Sequence, residues 1–308
     1  MADLNMDRAA PILLRIYKSE STFEVWKQDR DGQYAPLVSY PICKFSGKLG
    51  PKVREGDHQA PEGFYEITPA QMNPLSREYL AFNIGFPNAF DRSLGRTGSV
   101  VMVHGGCHSI GCYAMTDRHM GEIYALIGEA FNGGQDKVQL QAFPFRMTAE
   151  NLAAHAQDNA NAPFWTMLKA GSDAFQDERK PPRVAVCGHR YVFNPAADAE
   201  LDPNAPCPPG VAPGLVAEDA EPAKSSLTAA HATARASAHA PRWEKRLLAQ
   251  GHTPRIASVH KRARFAAKAH ARRWQRVKFA AVGSQPPQKP FTPAPAPAPT
   301  PDLFLRPR

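Results

Sequence analysis

The sequence has no apolar run approaching the roughly 20 residues that a membrane-spanning helix needs. Its opening, MADLNMDRAAPILLRIYK, lacks the apolar core of about 7–15 residues that marks a secretory signal, so the chain as written reads as soluble. No long internal repeat is present, which argues against a repeat array. Cysteine is scarce: five residues without a repeating spacing exclude the framework of a disulfide-stapled mini-domain and leave the redox compartment open. Acidic residues almost vanish at one end, where residues 241–308 hold 15 Lys/Arg against only Glu244 and Asp302. Because the whole chain carries +8, everything ahead of that tail is net acidic. With 308 residues and 43% hydrophobic content, there is enough chain for a real core and one or two domains.

What is present divides readily. ILLRIYK and FEVWKQD read as β-rich runs, with DRDG a turn signal, so an antiparallel meander opens the chain. A Gly/Pro-rich loop follows from residue 46, crossed by the short strand FYEI, which is entered through Pro61 and Gly63. YLAFNIGF and SVVMVH are further apolar strands. Thr116 or Asp117 can then cap a helix in which Met120, Ile123, Tyr124 and Ile127 recur at helical spacing and NGG provides the stop. KVQLQAFPF alternates as a strand, TAENLAAHA starts a helix at Thr148, and FWTMLKAGSDAFQDE continues as helix. RVAVCGHRYVF returns to a strand, closing an α+β body near residue 195. Residues 196–240 read as an Ala/Pro/acidic linker, and 241–308 as a basic, partly helical, then Pro-rich and largely disordered tail.

Between strand SVVMVH and the capped helix lies HGGCHSIGC, residues 104–112, with two histidines, two cysteines and three glycines. Zinc is one reading, through His104, Cys107, His108 and Cys112. Structural zinc sites usually pair ligands from distant segments, however, and four within one short loop would be strained. A Cys107–Cys112 redox pair lacks the Cys-x-x-Cys spacing. Buried packing residues in a glycine-rich turn are the plain alternative. A thiol nucleophile is the fourth: a neighbouring imidazole activates the sulfur, and Gly111 lets a tetrahedral intermediate approach backbone N–H groups near a helix N-terminus.

VMVHGGCHSIGCYAMTD resembles the active-site segment of the YkuD-type L,D-transpeptidases, in particular their YafK-like branch. The loop ICKFSGKLGPKVREGDHQAPEGFYEITPAQMNP and the blocks NIGFPNAFDRSLGRTGS and QAFPFRMT resemble the same family, so the likeness spans about residues 10–195. It implies a mostly antiparallel YkuD-like catalytic domain with peripheral helices over residues 1–195. It makes Cys112 the nucleophile and His104 its base, with His108 as the competing base. By the same resemblance Gly105 orients the imidazole through its carbonyl, and Ser109, Gly111 and Tyr113 complete the turn. Ile110 stands where a second histidine often precedes the Gly-Cys pair, and the His-to-Cys spacing is shorter than in most of the family.

The implied substrate is a peptidoglycan tetrapeptide stem, and the implied location is the periplasm, although no signal segment is visible. No metal or organic cofactor is expected. Stem peptides carry carboxylates, which makes Arg92, Arg96 and Arg146 candidate substrate-binding residues, with Asn83 and Tyr79 further possibilities. Cys43, Cys107 and Cys187 read as structural. A peptidoglycan amide hydrolase is the rival within the fold. A polyanion-binding protein acting through the tail is the rival of another class, since 12 Lys/Arg between Arg242 and Lys278 interleave with Trp243, Phe265, Trp274 and Phe279. The tail is expected to meet an anionic membrane or wall surface rather than nucleic acid.

Overall fold

The computed structural model describes residues 4–157, 160–196 and 201–211. Strands β1 (Ile12–Tyr17), β2 (Thr22–Gln28) and β3 (Tyr34–Pro41) form the expected antiparallel meander. Its second turn is built as DRDG predicts: Asp29 accepts from the N–H groups of Asp31 and Gln33, and Gly32 takes φ +80°. Two further strands, β5 (Gly63–Ile67) and β10 (Val138–Phe143), complete a five-stranded sheet in the order β3-β2-β1-β10-β5, where only β1 and β10 run parallel. The second sheet holds β4 (Lys44–Phe45), β9 (Tyr113–Ala114), β8 (Met102–His104), β7 (Ala81–Asn83) and β6 (Met72–Asn73) in that order. Its one parallel pair is β8–β9. The architecture is therefore the mixed, mostly antiparallel α+β class expected from the sequence.

Every residue of β1 is buried, so the first sheet is covered on both faces. Ile12, Leu14 and Ile16 join Phe82 and Val103 of the second sheet in one core, completed by Met120, Ile123 and Ile127 of α2 (Asp117–Asn132). That helix starts where the sequence says, with the Thr116 hydroxyl accepting from His119 N at 3.1 Å, and ends at Gly133. On the other face, Leu13, Trp26 and Tyr34 pack with Phe175, while Tyr17, Phe64 and Phe143 pack with Phe164, Trp165 and Leu168. Those partners belong to α4 (Ala162–Glu178), whose Gly171 lies so close to Phe64 and Phe193 that a Cβ there would come within 2.4 Å of both rings. The remaining helices, α1 (Ala89–Ser93) and α3 (Ala149–Ala154), are short, and α3 is capped by Thr148 as expected.

RVAVCGHRYVF is not one strand but a hairpin of β11 (Val184–Cys187) and β12 (Arg190–Phe193). Gly188 and His189, both at positive φ, make a two-residue turn whose twist suits antiparallel partners. Ordered chain continues past residue 195. Ala205 and Pro203 accept from the N–H groups of Gly188 and His189, and Cys207 is disulfide-bonded to Cys187. The linker beyond residue 211 and the whole 241–308 tail, with its expected helices, lie outside the described residues.

A fully buried ion pair ties these layers to the loop that reaches the second sheet. The Lys18 ammonium donates to Glu62 at 2.9 Å and to the carbonyls of Gly50 and Ala60. Glu62 also accepts from Gly50 N and from the Trp165 indole. Burial pushes the Lys18 ammonium toward its neutral form, and Glu62 opposes that shift. Lys18→Met alone is expected to destabilise the protein by about 3–5 kcal/mol, because the Glu62 carboxylate would stay buried without its cation. Chemical denaturation checks this, and Lys18→Met combined with Glu62→Leu should recover part of the loss.

Candidate active site

Residues 104–112 sit where strand β8 leaves the second sheet and return into β9, immediately ahead of α2. The parallel register pairs Val103 with Tyr113 and His104 with Ala114, so Cys112 falls opposite Met102, two residues before His104 on the neighbouring strand. Sulfur and backbone meet there: Met102 N donates to Cys112 Sγ at 3.4 Å. Cys112 is half-buried and is the one free thiol of the five cysteines. Burial pushes its pKa up, opposed by the Met102 hydrogen bond and by the positive charge of Lys52. That balance favours the neutral thiol over the thiolate.

His104 is buried, and its Nδ1 lies 2.6 Å from the Gly105 carbonyl. A carbonyl can only accept, so Nδ1 carries a proton, and Nε2 is the nitrogen left to act as acceptor, the arrangement a general base requires. Gly105 has no room for a side chain, since a Cβ would come 2.7 Å from Asp117 Oδ1 and 2.9 Å from the Glu78 carbonyl. Backbone bonds fix the rest of the frame: Gly105 N to Leu80 O, Met115 N to His104 O, and Cys107 N to Met115 O. Asp117, in the first turn of α2, accepts from Gly106 N at 2.8 Å.

His108 stands differently. It is exposed, its Nδ1 faces the Gly106 carbonyl at 2.9 Å and its Nε2 faces Glu78 at 3.1 Å. The Gly106 carbonyl and the Glu78 carboxylate raise its pKa, and both of its ring nitrogens already face protein partners.

Ser109 organises the nucleophile turn. Its hydroxyl donates to the Cys112 carbonyl at 2.6 Å and accepts from Cys112 N at 2.9 Å and Gly111 N at 3.3 Å. With the Ser109 proton so used, Ser46 donates to Ser109 across 2.8 Å. The N–H groups expected to face an oxyanion are thus already engaged by Ser109, and a substrate oxygen has to compete for them. Gly111, at φ +129°, adopts a backbone that other residues rarely take. Tyr113 points elsewhere: it is fully buried and its hydroxyl donates to the Pro61 carbonyl at 2.6 Å. It ties β9 to the loop before β5.

The disulfides resolve the other cysteines. Cys43 is joined to Cys107, fastening the base–nucleophile loop to the chain just ahead of β4 and removing one sulfur from the zinc alternative. Among the described residues, no cluster of three or more His, Cys, Asp or Glu side chains is arranged for a metal.

The candidate arginines already have protein partners. Arg146 pairs with Glu24 at 2.6 Å and lies over the Tyr17 ring, and Arg96 pairs with Asp91 at 2.9 Å and lies over Phe90 and Phe164. Arg92 donates to the Pro87 carbonyl and lines a cavity of about 410 Å³ bordered by Phe90, Val186 and Tyr191, which does not include Cys112. Asn83 accepts from Gly85 N, and Tyr79 is partly exposed at a positive φ. Sequence reasoning missed Ser46, Glu78, Lys52 and Asp57. The last two lie in a polar loop whose charges look merely solvated until the fold buries them as an ion pair.

A lone thiol in a tightly bonded turn, with a correctly tautomerised histidine on the adjacent strand, is an arrangement for nucleophilic cysteine chemistry. The chain is 46% identical over 192 residues to YafK of Escherichia coli (strain K12), a protein assigned to the L,D-transpeptidases, and the match covers 62% of this chain and 77% of YafK. YafK of Escherichia coli O157:H7 matches with the same identity and coverage. The chain belongs to the L,D-transpeptidase family, in its YafK branch. No family model matches it. Among solved structures, it is similar to the helical cell shape determining protein Pgp2 of Campylobacter jejuni, at 16% identity and a TM-score of 0.35 over 64% of this chain and 82% of that one. It is also similar to L,D-transpeptidase 1 of Mycobacterium tuberculosis, at 14% identity and a TM-score of 0.22 over 44% and 62% of the two chains.

Proposed function

We propose that the protein is a cysteine-dependent L,D-transpeptidase that acts on peptidoglycan tetrapeptide stems. The observation that carries this reading is the free Cys112 thiol, which accepts from Met102 N on strand β8, the strand that ends in His104, whose Nδ1 lies on the Gly105 carbonyl. His104 Nε2 takes the thiol proton as sulfur attacks the carbonyl at the L-centre of the diaminopimelate residue. The amide bond to the terminal D-alanine breaks, the departing amine receives the proton from the imidazolium, and the acyl group remains on Cys112 as a thioester. An amine on an acceptor stem then attacks the thioester, a new amide forms, and the thiol is regenerated. Water in place of the amine gives hydrolysis.

Periplasmic residence is part of the proposal. Two disulfides with a nucleophilic cysteine left free suit an oxidising compartment better than the cytosol. The basic 241–308 segment is proposed to add retention on anionic wall or membrane surfaces, through charge that salt would screen.

Incubation with a purified tetrapeptide muropeptide and an acceptor stem, followed by chromatography and mass spectrometry, tests the reaction. Released D-alanine with a cross-linked product is the expected result. Tripeptide alone would make the protein a hydrolase, and no D-alanine from folded protein would contradict the stem donor.

A further inference from the structure

The Ser109 hydroxyl is asked for more hydrogen bonds than one hydroxyl can make. A hydroxyl offers one proton and two lone pairs. The proton goes to the Cys112 carbonyl at 2.6 Å, which leaves two acceptor positions for three donors: the Ser46 hydroxyl at 2.8 Å, Cys112 N at 2.9 Å and Gly111 N at 3.3 Å. The longest of the three is the weakest, so the Gly111 N–H is the donor that Ser109 holds least.

Ser46 sets that outcome. It follows β4, whose antiparallel register pairs Phe45 with Tyr113, so the next position along places Ser46 across from Cys112. Its carbonyl accepts from Ala60 N at 2.9 Å, and the residue is buried, which keeps its hydroxyl on Ser109 rather than on water. Without the Ser46 hydroxyl, the second lone pair of Ser109 would pass to Gly111 N and close that N–H into the turn. The turn is open on the side of Gly111, where a Cβ would meet nothing nearer than His58 Cα at 4.0 Å.

We propose that Ser46 is a positioning residue that acts through Ser109: by occupying one of its lone pairs, Ser46 keeps the Gly111 N–H available to the oxyanion formed when Cys112 is acylated. The proposal deepens the transferase reading and rests on Cys112 as its nucleophile. As sulfur bonds to the carbonyl carbon, the C=O π pair moves onto oxygen, and it returns when the leaving group departs with the bonding pair. The oxyanion stands on the carbon attached to Sγ, beside the turn that carries these N–H groups. A donor already in place there stabilises the charge without reorganising during the reaction.

The test compares two reactions of Cys112 in the full chain, with Ser46→Ala and Ser46→Thr. Acylation by p-nitrophenyl acetate, read as a p-nitrophenolate burst absent from Cys112→Ala, passes through an oxyanion. Alkylation by iodoacetamide displaces iodide at a saturated carbon and forms none, and Cys112 is the only free thiol it can meet. Ser46→Ala is expected to slow acylation about tenfold, and to lower kcat on a tetrapeptide stem by a similar factor at nearly unchanged KM, while alkylation stays at the wild-type rate. Ser46→Thr keeps the hydroxyl and should match wild type in all three. Should the Ala variant not fold, Ser46→Val, which has the shape of Thr without its hydroxyl, carries the same expectation. Acylation of a folded Ala variant at the wild-type rate would overturn the proposal. So would alkylation slowed as much as acylation, which would make Ser46 a tie that merely holds the turn, or a Thr variant that behaves like Ala. A wild-type protein acylated by the ester but inert toward every stem would sink the transferase reading while leaving the Ser46 comparison standing.

Discussion

Alanine in place of His104 is expected to lower turnover of a tetrapeptide stem by about 10²–10⁴-fold, with the fold intact, because the Cys112 thiol would lose its proton acceptor. Burial favours the protonated thiol, so the proposed mechanism needs a base at the moment of attack. His108→Ala should lower turnover by less than about tenfold, since the partners of His108 hold both of its nitrogens. Steady-state kinetics on the two variants, each checked by thermal melt, decides between them. The reverse order of effects would mean that His108 is the base.

A larger loss is expected at the nucleophile itself. Cys112→Ser keeps an acceptor for Met102 N and almost the same volume, so the melt should barely move, while turnover should fall by at least about 10³-fold. The hydroxyl is far less acidic than a thiol, and His104 alone has no buried acid to support a stronger deprotonation. Among the described residues, the structure records the Gly105 carbonyl rather than a carboxylate at its Nδ1. A serine variant with turnover near wild type would require another nucleophile.

The parts of this arrangement that were legible in the sequence are those set by local rules. Thr116 and Thr148 cap their helices because a hydroxyl one residue ahead of a helix meets orphan N–H groups wherever it occurs. DRDG turns because Asp29 can bond its own downstream backbone. The strand, the HGGCHSIGC loop and the capped helix could also be read directly, whereas the two-residue strand β9 between loop and helix is too short to show as alternation.

What was not legible depends on residues far apart in the chain. Cys43 and Cys107 lie 64 residues apart, and nothing in either neighbourhood names the other. The arginines were chosen because guanidinium groups suit carboxylates, but the carboxylates that Arg96 and Arg146 meet are Asp91 and Glu24 of the protein itself. Lys52 and Asp57 lie in the Gly/Pro-rich loop, where no motif singles them out, and only their burial sets them apart. The β11–β12 hairpin escaped notice because Gly-His is a weak turn pair beside Asn-Gly or Asp-Gly.

The central claim is that Cys112 carries the acyl group between donor and acceptor. Folded protein mixed with a diaminopimelate-containing tetrapeptide muropeptide, without acceptor, and quenched in acid can be weighed intact and then mapped by peptide mass. The account predicts an adduct equal to the muropeptide less D-alanine, located on Cys112, absent from Cys112→Ala and discharged when an acceptor stem is added. Release of D-alanine by Cys112→Ala at the wild-type rate, or an acyl group mapped to any other residue, would contradict it.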